Sequence, residues 1–98
     1  MGWKVIVALS AREDLREIVG YIAKDNPEAA SRVGNQLIEK AELLAMFPES
    51  GRVVPEFHRP EIREIVYRNY RVIYRVNAVS QVVEIARFWH GARGAPSI

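Results

Sequence analysis

The residues of this chain best suited to chemistry are Glu56, His90 and the arginines of the C-terminal half. A carboxylate can accept a proton, an imidazole can donate one, and a guanidinium can stabilise negative charge on a phosphate. Metal-free cleavage of RNA needs these three functions, for the 2′-hydroxyl proton, the phosphorane charge and the leaving 5′-oxygen. The sequence predicts this chemistry only if the fold brings the groups together. A lone histidine at the end of a strand is more often a structural hydrogen-bonding residue than a catalyst.

Other kinds of site have little support in the sequence. The chain has no cysteine, which excludes a disulfide, a thiolate metal site and a cysteine nucleophile. Its two histidines, His58 and His90, lack the spacing of a metal-binding motif, and its glycines lack the pattern of a phosphate-binding loop. We therefore expect neither a metal nor a cofactor.

Positive charge is concentrated in the second half of the chain. The net charge is +2, but residues 1–50 hold 6 cations and 8 anions, whereas residues 51–98 hold 8 cations and 4 anions. All eight of these cations are arginine, whose planar fork suits phosphate and stacks on bases. The arginines are therefore candidates for binding. A coding bias towards arginine accounts for the same composition without a function.

The elements that must position these residues are expected to form one domain, residues 1–98. A share of 49% apolar and 27% charged residues is that of an ordinary globular protein. The length suffices for a single core of two helices on a sheet. The apolar run of residues 5–9 is too short for a secretory signal and is followed at once by charged residues. We expect a strand there and a cytoplasmic protein.

The first half of the chain predicts a strand and two helices. Residues 3–9 are dense in valine, isoleucine and leucine, which favours a strand. Ser10 and Glu13 match a capping box, and apolar residues then recur at helical spacing over residues 11–24. Asn26-Pro27 should end that helix and begin a second one that extends to Phe47. The two helices should form an antiparallel hairpin.

The second half predicts strands at residues 52–55, 62–68, 70–76 and 82–89. Turns at Asn69 and at residues 77–80 would make the last three an antiparallel meander. Helices and an antiparallel sheet that are segregated along the chain define an α+β fold. The tail, residues 91–98, should be loosely held. The predicted core residues are Leu15, Ile18, Ile22, Val33, Leu37, Leu44, Val72, Tyr74 and Val76.

Alternation along the strands predicts which residues share a face of the sheet. Arg71 and Arg75 should lie on the face away from the helices, where exposure to solvent accounts for them without a function. In the last strand, strict alternation puts Ile85, Arg87 and Trp89 on one face.

Short stretches that match a known family extend over nearly the whole chain. They are residues 10–15, 21–22, 26–27, 29–30, 47–48, 51–56, 62–64, 70–76 and 90–91. In this order and at this spacing they resemble the RelE/ParE toxins of type II toxin–antitoxin systems. The resemblance implies a cytoplasmic toxin that forms a hetero-oligomer with its antitoxin, which wraps the toxin and covers its active surface. It implies two alternative targets, since RelE-like and YoeB-like members cut mRNA in the ribosomal A site and ParE-like members inhibit DNA gyrase.

The nuclease alternative gives catalytic roles to three residues. A YoeB-like chain has Pro-Glu after a glycine loop, an arginine in the penultimate strand and a histidine at the end of the last strand. Glu56, Arg71 and His90 match these positions, and the resemblance implies that they are general base, phosphate stabiliser and general acid. Arg52 and Arg63 would be further phosphate contacts.

The gyrase alternative is favoured by departures from the nuclease pattern. Gly91 follows His90 where YoeB-like chains end in an aromatic residue, and no lysine follows Lys40, whereas RelE-like chains have a lysine-rich active surface. The glycine loop and the ending after the last strand also resemble ParE-like members. In this alternative no bond is broken, and arginines bind the partner. Those arginines are Arg52, Arg63, Arg75, Arg87 and Arg93. A third alternative is a non-toxic member that acts only with its antitoxin in a repressor complex.

Overall fold

The computed structural model describes residues 2–98 and has the predicted α+β order of elements. These elements are β1 (Lys4–Val7), α1 (Leu9–Ala23), α2 (Pro27–Leu43), β2 (Arg52–Val53), β3 (Ile62–Tyr67), β4 (Tyr70–Asn77), β5 (Val82–His90) and a 3-10 turn (Gly91–Arg93). The strands form one sheet in the order β1-β5-β4-β3-β2. The last three strands form the predicted antiparallel meander, β2 pairs antiparallel with β3, and β1 pairs in parallel with β5. Neither of the two helices is long and apolar enough to cross a membrane.

The start of α1 differs from the prediction. The helix begins at Leu9, directly after β1, and its N-cap residue Ala8 makes no side-chain cap, so the predicted capping box is wrong. The Ser10 hydroxyl donates instead to the carbonyl oxygen of Ala86 in β5, at 2.8 Å. A tertiary partner has replaced the local one, because β5 lies beside the first turn of the helix, where the Ala8 N–H also donates to the carbonyl oxygen of Ile85.

The second helix begins as the sequence predicts and ends earlier. The Asn26 side chain accepts from the Ala29 N–H at 3.0 Å, and Pro27 occupies the first turn. The regular helix ends at Leu43 rather than Phe47. Gly34 lets the two helices approach closely, since a Cβ there would lie 3.0 Å from a methyl group of Val19.

The main core lies between the helix hairpin and the inner face of the sheet. Of the predicted core residues, Leu37, Leu44, Val72 and Tyr74 are buried. The predicted residues of α1 are only half-buried, because the hairpin leaves open grooves along the sheet. The half-buried members of the predicted set are Leu15, Ile18, Ile22, Val33 and Val76.

The outer face of the sheet has a small core of its own. Val54, Ile62, Ile73 and Trp89 are buried there, with Phe57 packed against them. The chain between β2 and β3 supplies two of these residues and therefore lies against the sheet. The outer face is not a plain solvated surface.

Strict alternation in β5 is wrong beyond Ile85. Two consecutive residues of β4 pair with Ile85 and Arg87, which leaves Ala86 in a β-bulge. Because of the extra residue, Ile85 and Phe88 both pack into the main core, whereas Trp89 packs into the outer one.

The tail after β5 is not loosely held, in contrast to the prediction. The indole N–H of Trp89 donates to the carbonyl oxygen of Gly94 at 3.0 Å, and Arg87 donates to that of Ser97 at 3.0 Å. Pro96 is buried. A buried indole N–H needs an acceptor, and the tail provides it.

Candidate functional site

The centre of the candidate site is Glu64, a buried residue in the middle of β3 that the sequence analysis did not select. Its side chain is 0% exposed and accepts from Nε of Arg52 at 2.6 Å and from Nε of Arg71 at 2.5 Å. Strand register explains the contacts, because Arg52 is paired with Glu64 across β2 and β3, and Arg71 lies on the adjacent strand on the same face. Burying a carboxylate without hydrogen-bond partners costs free energy, and the two guanidinium groups provide those partners.

Glu56 completes this group of charges. Nη1 and Nη2 of Arg71 donate to its two carboxylate oxygens at 2.9 and 2.7 Å, which makes a bidentate pair. We call Arg52, Glu56, Glu64 and Arg71 the arginine–glutamate cluster. The structure thus brings together two of the three residues predicted for catalysis.

The charges of the cluster are mutually stabilising. The hydrogen bonds from Arg71 lower the pKa of Glu56 from 4.5 to about 2. The same pair raises the pKa of Arg71 above its ordinary value. Both groups are therefore fully charged at neutral pH. A carboxylate with so low a pKa is a weak base.

His90 lies on the other face of the sheet. In the β4–β5 ladder Tyr70 pairs with His90 and Arg71 pairs with Trp89, so His90 and Arg71 point to opposite faces. The His90 ring meets Tyr70 edge to face at 5.1 Å, and its Nδ1 accepts from the Ala92 N–H at 3.0 Å. The structure therefore does not bring His90 together with Glu56 and Arg71.

A cavity of about 380 Å³ adjoins His90. We call it the histidine pocket. It lies between α1 and the end of β5 and is mostly apolar, with aromatic rings and three charged side chains. Its lining residues are Asp14, Glu17, Ile18, Tyr21, Ile22, Tyr70, Phe88, His90 and Arg93.

A second buried carboxylate, Asp14 of α1, binds two other candidate arginines. Arg87 donates to it through Nε at 2.6 Å and Nη2 at 2.8 Å, and Arg93 lies 3.7 Å away. The backbone N–H of Phe88 donates to the same carboxylate at 3.2 Å. Both guanidinium groups also stack on the ring of Trp89, at 4.8 and 4.1 Å. We call Asp14, Arg87, Trp89 and Arg93 the aspartate network.

The remaining two candidate arginines also have protein partners. Arg63 donates to the carbonyl oxygen of Gly51 at 2.9 Å and thereby holds the loop before β2. Gly51 is required there, because a Cβ would lie 2.5 Å from the carbonyl oxygen of Glu64. Arg75 lies 3.5 Å from Glu84.

Over residues 51–98, six of the eight arginines are in ion pairs. They are Arg52, Arg59, Arg71, Arg75, Arg87 and Arg93.

The comparison with protein families decides the family. The model of the ParE toxin of type II toxin–antitoxin systems, parDE, matches residues 5–94 of this chain. The chain belongs to the ParE toxin family.

Curated relatives of this ParE-family chain are named as toxins, and two of them carry the name RelE. Toxin RelE1 of Caulobacter vibrioides is 28% identical over 93% of this chain and 96% of its own length. Putative toxin Y4kP of Sinorhizobium fredii is 35% identical over 92% of this chain and 90% of its own length. The names agree on a toxin and do not separate the two mechanisms.

Solved structures share the fold of this ParE-family toxin. A chain of the chromosomal ParDE toxin–antitoxin system from P. aeruginosa superposes with a TM-score of 0.74 at 19% identity, covering 90% of this chain and 95% of that chain. A chain of the RelBE2 toxin–antitoxin complex from Mycobacterium tuberculosis gives 0.64 at 22% identity, covering 92% of this chain and 99% of that one. At these identities the likeness shows the fold alone.

The stretches that resemble the family hold the cluster in place in this ParE-family toxin. Gly51 donates its N–H to the hydroxyl of Tyr74 at 2.9 Å, which joins the glycine loop to the centre of β4. The same loop carries Arg52 and leads to Glu56.

Across residues 2–98, no three histidine, aspartate or glutamate side chains are placed to hold a metal ion.

Proposed function

We propose that this ParE-family toxin inhibits DNA gyrase by binding it and does not cut mRNA on the ribosome. The observation that carries the proposal is the placement of the three residues that a nuclease would need. Arg71 is enclosed by two carboxylates, and His90 lies on the opposite face of the sheet.

The electrostatics of Glu56 argue in the same direction. A general base works best when its pKa is near the operating pH. The pKa of Glu56 is about 2, because Arg71 stabilises its charged form. To stabilise a phosphate, Arg71 would have to break its hydrogen bonds with Glu56. The proposed base, Glu56, and the proposed cation, Arg71, would then no longer be in contact.

The pairing of the arginines also favours a protein target over RNA. Binding to a phosphate backbone requires cations whose counterions are released on binding. Most arginines of the second half already have a carboxylate partner within the chain. The outer face therefore has little unbalanced positive charge.

We also propose that an antitoxin polypeptide binds this chain in the cell and forms a hetero-oligomer with it in the cytoplasm, where gyrase is found. A cavity of about 570 Å³ lies between β1 and the helix hairpin, with an apolar lining that suits the apolar side of a polypeptide segment. The apolar lining residues are Val5, Val7, Leu15, Ile38, Ala41, Ala45 and Phe88. Two of the solved relatives are parts of toxin–antitoxin systems.

The second candidate is a ribosome-dependent endoribonuclease, and one observation favours it. Glu56 and Arg71, two of the three predicted catalytic residues, are in direct contact. A movement that brought His90 to them would assemble the predicted site.

Expression in a bacterial host without antitoxin separates the candidates. We expect loss of plasmid supercoiling, gyrase-trapped DNA breaks and intact ribosome-bound mRNA, with the same result for His90→Ala. New mRNA ends at the A site, abolished by His90→Ala, would overturn the proposal. Normal growth with neither effect would support a non-toxic member instead. The exposed variant Glu13→Gln is a control for expression level.

A further inference from the structure

Within the arginine–glutamate cluster, the two carboxylates differ in how firmly they are held. Glu64 is part of a strand, and its side chain is 0% exposed. The Glu56 side chain is 35% exposed and belongs to the connection between β2 and β3, where His58 has a positive φ of 53°. Glu56 is therefore the carboxylate that can leave Arg71 without disturbing the sheet.

Arg71 would keep its orientation if Glu56 left. Its Nε donates to Glu64, and its side chain is only 15% exposed, so one end of the guanidinium is fixed by the strand below it. Nη1 and Nη2 both point to Glu56. A guanidinium already held in position loses less conformational freedom when it binds a new carboxylate.

We propose that a protein partner binds this toxin through an acidic polypeptide segment. A carboxylate of that segment displaces Glu56 from Nη1 and Nη2 of Arg71, the position that Glu56 occupies in the free protein. The inference deepens the proposed function and rests on it in one respect, that the partner is a protein. Glu56 then limits binding to partners that can replace its two hydrogen bonds.

The surroundings of Arg71 favour a polypeptide carboxylate over a nucleic-acid phosphate. An incoming carboxylate reproduces the planar bidentate pair that Nη1 and Nη2 of Arg71 make with Glu56. Val66, directly opposite Arg71 in the β3–β4 ladder, is 52% exposed and offers an apolar contact for a neighbouring side chain.

Arg52 provides a second point of contact. Its side chain is 63% exposed, and within residues 2–98 it bonds Glu64 through Nε. An incoming carboxylate at Arg71 would therefore lie near a second cation whose remaining donors can reach solvent. A run of acidic residues suits this pair better than a single one.

The test uses a short acetylated and amidated peptide with three consecutive glutamates, and follows the Arg71 Nε–H signal by NMR. We expect Glu56→Gln to bind this peptide about five- to tenfold more tightly than the wild type, because the internal competitor is gone. Glu61→Gln is the matched control, since it removes a loop carboxylate that pairs with Arg59 and should leave binding unchanged. The glutamine version of the peptide should not shift the signal.

A second measurement uses the wild type and does not depend on the variant being folded. A carboxyl-¹³C titration should give a pKa of about 2 for Glu56 in the free protein. With saturating peptide that pKa should rise towards 4.5, because Arg71 no longer bonds Glu56.

Three results would overturn the inference. They are a folded Glu56→Gln variant that binds no more tightly, an unchanged pKa of Glu56 with peptide bound, and an equal gain for inorganic phosphate or a single-stranded oligonucleotide. The assay contains neither gyrase nor ribosomes. If the peptide carboxylate displaces Glu56 but the toxin does not inhibit gyrase, the proposed function alone is refuted. If the toxin inhibits gyrase but the peptide does not displace Glu56, this inference alone is refuted.

Discussion

Within residues 2–98, two buried carboxylates each bind two arginines. They are Asp14 and Glu64, and they differ in which further groups complete their surroundings. The aspartate network is completed by the chain itself, through the N–H of Phe88 and the stacking on Trp89. The arginine–glutamate cluster is completed by Glu56, a loop residue with a partly exposed side chain. The aspartate network therefore stabilises the fold, whereas the arginine–glutamate cluster contains a contact, that of Glu56, which another carboxylate can replace.

We expect the largest loss of stability for Asp14→Ala. The change leaves Arg87 without its bidentate partner and the buried N–H of Phe88 without an acceptor. We expect a loss of about 4 kcal/mol in the free energy of unfolding, measured with urea. Glu13→Ala, an exposed change one residue away, is the control and should cost less than about 0.5 kcal/mol. Equal effects of the two changes would show that the network does not stabilise the fold.

Glu64→Gln should destabilise the protein by about 3 kcal/mol in the same experiment. The variant keeps the shape of the side chain and removes the buried charge that two arginines share. We expect a smaller loss of stability than for Asp14→Ala. Arg71 still pairs with Glu56, and the exposed guanidinium of Arg52 can be hydrated. An effect as small as that of Glu61→Gln would contradict the assignment of Glu64 as the centre of the cluster.

Trp89→Phe should cost about 1 kcal/mol and loosen the tail. The ring remains for stacking, but the donor to the carbonyl oxygen of Gly94 is lost. Hydrogen exchange of the backbone amides in residues 94–98 should become faster, whereas Trp3→Phe should leave them unchanged. Unaltered exchange would mean that the arginines alone hold the tail.

Glu56→Gln should have the smallest effect on stability, below about 1 kcal/mol, because the pair is partly exposed to water. The pKa of Glu56 is lowered in the folded protein, so its contribution is present above pH 4.5 and is lost as the pH falls towards about 2. The difference in unfolding free energy between wild type and variant should vanish over that interval. A constant difference would show that Glu56 stabilises the fold by packing and not by charge.

The sequence predicted the order of elements and part of the main core, because those follow from local periodicity. Helical spacing and the Asn26-Pro27 turn located the helices, and alternation located Val72 and Tyr74 in the main core. The bulge at Ala86 escaped prediction, because it depends on how two strands align.

The candidate site was predicted less completely than the fold. Asp14 and Glu64 resemble ordinary surface residues of a helix and a strand, and their partners are distant in the sequence. Asp14 and Arg87, for example, are 73 residues apart. A glutamate between the apolar residues Ile62 and Val66 on one face of β3, next to an arginine in β4, was the available signal for Glu64.

The proposed function is tested most directly with purified toxin, purified gyrase and relaxed plasmid. We expect the toxin to block ATP-dependent supercoiling, His90→Ala to block it equally, and programmed ribosomes in a parallel reaction to keep their mRNA intact. Unimpaired supercoiling together with A-site cleavage that His90→Ala abolishes would contradict this function and make the protein a nuclease.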